Sequence, residues 1–186
     1  MKKTLLFLFC MISSLALNAQ KNEIKTYAYG VDFTHAKVFA ARESVEDFAK
    51  AFYDINMILV READKYDFSR AVKQPVYLVM EPMLKVISEA SYDDIITLSN
   101  MYDEPDCAEI IKNYELPQTE GIGIVIIAKM LDKPNACAIY DMVLFDIATR
   151  DILKKKEVVG DAEGFGLRNY WARSLYNVLR KTKMYK

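Results

Sequence analysis

Residues Gly121 to Met130 read GIGIVIIAKM. A strand that is apolar on both faces must be covered, so this run predicts a central strand inside a layered fold. Such a strand needs neighbours beside it and helices over it. The 186 residues, 52% hydrophobic and 27% charged, supply material for one domain with a real core. Six Gly and five Pro exclude collagen-like or linker-dominated architecture.

The remaining elements fall around that strand. Lys25–Phe33 is rich in aromatic and β-branched residues and reads as a first strand, with Tyr27, Tyr29, Val31 and Phe33 on one face by period two. Ser44 opens the clearest helix: Val45, Phe48, Phe52, Ile55 and Leu59 recur at steps of three and four. Ser44 with Asp47 resembles a capping box. Residues 61–74 are polar and read as a loop with a helical turn. Val76–Met80 reads as a buried second strand. Pro82 suits the start of a helix, Ser91 with Asp94 suits a short helix through Leu98, and Pro105 with Asp106 opens another to Tyr114. Cys137–Asp146 and Ile152–Val159 follow as long strands. The second carries Lys154, Lys155 and Lys156, as an exposed edge does. Leu167–Lys183 closes the chain as a helix, with Leu167, Trp171, Leu175, Val178 and Leu179 on one stripe. The expected fold is α+β. One mixed sheet of about five strands carries packed helices in the order β-α-β-α-α-α-β-β-β-α.

The start of the chain is read as an address. Lys2 and Lys3 precede an apolar run from Leu5 to Leu17, and Asn18-Ala19-Gln20 ends it. This is the pattern of a secretory signal peptide cut after Ala19. The run falls short of a bilayer span, which takes about 20 apolar residues. The division is therefore a signal peptide over 1–19 and a single α+β domain over 20–186, periplasmic or secreted. No membrane span is expected in the mature chain. Two cysteines remain in it, Cys107 and Cys137, and export permits a disulfide between them; two separate buried thiols are the other reading.

Two stretches resemble a known group. VDFTHAKVF at Val31–Phe39 with the helix Ser44–Asn56 is one. YDMVLFDIATRDIL at Tyr140–Leu153 through GFGLRNYWARSLYNVLRK at Gly164–Lys181 is the other. Together they resemble small exported proteins of unknown function from Gram-negative anaerobes. The hairpin at Phe145–Thr149 is similar in topology to TolB N-terminal and CsgG-like envelope domains. The resemblance implies an envelope location and an α+β sheet, and carries over no catalytic residue.

The chemistry-bearing residues are few. Lys and Arg (25) nearly balance Asp and Glu (26), which argues against a nucleic-acid partner. The loop Gly160–Gly166 lies between a strand and a helix whose first turn carries Arg168. Glycines let backbone N–H groups approach an anion there, although the spacing fits neither a dinucleotide fingerprint nor a P-loop. Gly164, Gly166, Arg168 and Asn169 are the candidate ligand-binding residues. Trp171 is read as the anchor of its helix, with a recognition role for Tyr170 and Trp171 as the alternative. Asp32 and His35, the single histidine, form the one candidate acid–base pair, without a paired nucleophile. Asp103, Glu104 and Asp106 could face a hard cation but lack calcium-loop spacing. Cys107, His35 and Cys137 supply only three metal ligands. No cofactor or metal is expected. The expected function is a non-catalytic envelope module that binds an unknown envelope protein or a small ligand. The alternative is a periplasmic hydrolase using Asp32 and His35.

Overall fold

The computed structural model describes residues 24–185; the signal peptide expected over 1–19 lies outside them. Seven strands form one mixed sheet, not about five. They are β1 (Thr26–Asp32), β2 (Lys37–Phe39), β3 (Val76–Leu78), β4 (Ile96–Thr97), β5 (Ile122–Asp132), β6 (Cys137–Asp146) and β7 (Ile152–Asp161). The helices are α1 (Val45–Arg61), α2 (Ser69–Val72), α3 (Glu81–Glu89), α4 (Cys107–Lys112) and α5 (Leu167–Lys181).

β5 is the centre, as its apolar run requires. Along one side it pairs parallel with β1 and then with β2; along the other it pairs antiparallel with β6, which pairs with β7. β3 extends the sheet beyond β1, and β4 beyond β2. Helices α1, α3 and α5 cover one face of the sheet, and α4 with the strand-free chain around it lies on the other.

Four local expectations are corrected. The 91–98 stretch is not a helix: Ser91 and Asp93 make a side-chain turn, and Ile95 and Thr97 carbonyls accept from Val38 and Ala40 at the sheet. Val76–Met80 is not a buried strand. Only Val76–Leu78 is extended, it pairs with β1 alone, and Tyr77 is 52% exposed. The helix after Pro105 starts later, at Cys107, capped by the Asp106 carboxylate accepting from the Ala108 and Glu109 amides. Finally, β1 does not keep one face. Its register breaks between Ala28 and Val31, where Gly30 takes φ 93°. Tyr29 stacks on Phe145, whereas Phe33 stacks on Phe52 of α1. An irregularity at glycine reverses the alternation beyond it.

The break frees the backbone of Val31, and α1 satisfies it. Asn56 is fully buried; its Oδ1 accepts from Val31 N at 2.9 Å and its Nδ2 donates to Val31 O at 2.9 Å. Asn56→Ala should therefore cost about 1–3 kcal/mol, read by denaturant unfolding, because buried backbone groups lose their partners. The Ser44–Asp47 capping box forms at the start of α1 as expected.

Candidate functional site

The loop after β7 is shaped by its glycines. Gly160 has no room for a side chain, because the backbone of Ser174 in α5 occupies the place of a Cβ; α5 therefore crosses directly over β7. Gly164 (φ 127°) and Gly166 (φ 81°) hold conformations that side-chain-bearing residues rarely adopt. Between them Phe165 stands 96% exposed. The loop is braced by the helix that follows: Asn169 Nδ2 donates to Phe165 O at 3.2 Å, and Tyr170 N donates to Gly166 O at 3.0 Å.

Asn169 also aims Arg168. Its Oδ1 accepts from Arg168 Nε at 3.0 Å and from Nη2 at 2.8 Å. The nearby carboxylates are already engaged, Glu62 by Lys65 at 2.7 Å and Glu163 by Arg173 at 4.0 Å. Among the described residues Arg168 has no carboxylate partner. Gly164, Arg168 and Asn169 line one hollow of about 370 Å³ with Tyr66 and Lys65 from beyond α1. Arg168 also borders a second hollow of about 380 Å³ beside α1. Three of the four expected ligand-binding residues thus share a cavity, and Gly166 shapes the turn beside it. A guanidinium held this way can grip a carboxylate or phosphate with two N–H groups.

Trp171 is fully buried, with Leu175, Val178 and Leu179 on the same stripe, so it is a helix anchor and not part of a recognition surface. In the same layer the Tyr140 hydroxyl meets Ser174 Oγ at 2.6 Å.

The other sheet face holds a cluster of charges that sequence reasoning missed. Asp32, Ile127, Asp141 and Glu157 are lateral neighbours across β1, β5, β6 and β7. Lys129, two residues along β5 from Ile127, has a side chain only 1% exposed. Its ammonium donates to Glu104 Oε1 at 2.9 Å and to Glu157, and lies 3.7 Å from Asp141 Oδ1. Burial works against that charge, but the hydrogen bonds it donates to Glu157 and Glu104 and the Asp141 charge outweigh it, so the Lys129 pKa lies above the ordinary lysine value. Glu104 thereby fastens the 98–106 segment to the sheet. The available signal was a lysine inside an apolar run with an aspartate in the facing strand.

Asp32 and His35 do not form an acid–base pair. Asp32 Oδ1 accepts from Thr34 N at 2.8 Å and Thr34 Oγ1 at 2.7 Å, and Oδ2 accepts from the Tyr114 hydroxyl at 2.7 Å. His35 is exposed. It lines a cavity of about 570 Å³ with Lys37 and five carboxylates, Asp103, Glu104 and Asp106 among them. Among the described residues no three His, Cys, Asp or Glu side chains converge as a metal ion requires.

The Cys107–Cys137 bridge is not formed; both are free thiols. Cys107 Sγ lies 3.6 Å from Asp141 Oδ2. Cys137 is four residues from Asp141 along β6, which a strand stretches to about 13 Å, and disulfides need Cα atoms within about 7 Å. Burial and the Asp141 charge push the Cys107 thiol up to about 11, so it is protonated at neutral pH.

No family model and no curated protein matches the chain. Among solved structures, the C-terminal domain of LpoB from Salmonella enterica is similar at 14% identity, covering 80% of this chain and 91% of that one, with a TM-score of 0.34. Likeness at that level carries no argument about function. Among the described residues no helix is long and apolar enough to cross a membrane.

Proposed function

We propose that this chain is an exported, non-catalytic module of the cell envelope that holds a protein partner through Gly164–Gly166 and the first turn of α5. The observation that carries the reading is Phe165, 96% exposed on a loop braced by Asn169. An aromatic ring held out on a fixed backbone suits insertion into a partner's pocket at little entropic cost, and aromatic and Arg side chains dominate binding energy at interfaces. Arg168, without a carboxylate partner of its own, gives the charge complement: the partner offers an apolar pocket with a carboxylate at its rim. Export rests on the basic and apolar start of the chain and on the resemblance carried by Gly164–Lys181. The non-catalytic reading is supported by the Asp32 carboxylate, whose two oxygens are taken up by Thr34 and Tyr114, and by the protonated Cys107 thiol.

Mature protein immobilised on a resin and exposed to envelope extract tests this. One partner should be retained by the parent and by Leu98→Ser, which alters another exposed residue. Phe165→Ser should weaken retention about 30-fold, the equivalent of a 2 kcal/mol hot spot. Arg168→Ala should weaken it in the same sense. Both variants should melt like the parent, since each changes an exposed side chain. Equal retention by Phe165→Ser would count against the reading.

A further inference from the structure

β7 is the outer strand of the sheet. Among the described residues its ladder runs to β6 alone. The pairing is uninterrupted from Lys154 opposite Leu144 to Asp161 opposite Cys137. In such a strand every second residue turns its N–H and C=O away from its neighbour, so from Leu153 to Val159 the outer edge is a row of open donors and acceptors, while the Asp161 carbonyl accepts from Asn177 Nδ2. Leu153 to Glu157 are all exposed.

The charges on this edge say what it accepts. Lys155 Nζ lies 3.4 Å from Asp141 Oδ2, Lys154 Nζ lies over the Tyr185 ring at 5.5 Å, and neither Lys154 nor Lys156 has a carboxylate partner among the described residues. By alternation Lys154 and Lys156 share one face and Lys155 the other. Leu153 (51% exposed) and Val159 (53% exposed) flank them. A second copy of this chain would bring its own three lysines into the same short stretch, and like charges across strands are destabilising. A neutral strand leaves Lys154 and Lys156 uncompensated. An acidic strand gains both the backbone bonds and the charge pairing.

We infer that the β7 edge is a docking site for an extended acidic segment of a protein partner, which adds to the sheet as an eighth strand. Backbone groups supply the affinity, and Lys154 and Lys156 select carboxylates on alternate residues. The site stands apart from Phe165.

The test uses a fluorescein-labelled peptide, Thr-Val-Glu-Val-Glu-Val-Thr, with fluorescence anisotropy and amide hydrogen exchange. The peptide should bind the parent saturably, lose affinity as salt rises, and slow exchange in Ile152–Asp161. A double variant, Lys154→Gln with Lys156→Gln, should melt like the parent yet bind at least about tenfold more weakly. A peptide N-methylated at alternate residues, which keeps its charge but cannot pair, should not bind. Phe165→Ser should bind the peptide like the parent. Equal binding of the N-methylated peptide, exchange slowed elsewhere, or binding of anionic phosphatidylglycerol vesicles without binding of the peptide would each overturn the inference.

Discussion

Trp171→Ala should lower the unfolding free energy by about 3–5 kcal/mol. Trp171 is fully buried where α5 lies against the sheet, and the same stripe carries Leu175, Val178 and Leu179. α5 is drawn tight over β7 at Gly160, where its backbone takes the space of a side chain. Such a helix cannot slide inward to fill a void, so the cavity persists. For a domain of this size the loss corresponds to a fall in Tm of about 10 °C. Trp171→Phe should cost less. It keeps an aromatic ring, and it removes an indole N–H that has no hydrogen-bond partner among the described residues. A melt of Trp171→Ala like that of the parent would place the side chain at the surface.

Lys129→Ala should be as costly, about 3–5 kcal/mol, for an electrostatic reason. The Asp141 carboxylate is 1% exposed and has two cations within reach, Lys129 at 3.7 Å and Lys155 at 3.4 Å. Removing Lys129 leaves Asp141 buried with one cation, Lys155, and cuts the tie between Glu104 and the sheet. The double variant Lys129→Met with Asp141→Leu should regain most of the loss, because well-packed apolar groups can replace a buried ion pair without net cost. Urea unfolding of the single and double variants gives the coupling directly. A double variant no more stable than Lys129→Ala would show that packing, not charge pairing, sets the cost.

The long elements were legible because their patterns repeat. α1 and α5 hold apolar stripes over several turns, and β5 to β7 form a meander with short connections. β2 and β4, three and two residues long, contain no repeat to read. They exist because β5 outruns β1 and offers its last residues to Lys37–Phe39. The split faces of β1 depend on Gly30, and the backbone that the break frees at Val31 is satisfied by Asn56, 25 residues further on in α1.

The candidate site was legible in part. Gly164, Gly166, Arg168 and Asn169 are close in sequence, so local geometry brings them together. Phe165 carries no signal of its own in the sequence, because a phenylalanine is expected inside; only the fold shows it held outside. The bonds of Asp32 to Tyr114 and of Lys129 to Glu104 join residues 82 and 25 positions apart, which no spacing pattern encodes.

The most direct measurement is photo-cross-linking in living cells from benzoylphenylalanine placed at position 165 of the full chain, with position 98 as a second exposed site. One discrete adduct is expected from position 165, formed in the envelope fraction. It should be absent from position 98 and lost when Arg168→Ala is added. No adduct from position 165, or the same adduct from both positions, would contradict the proposed function.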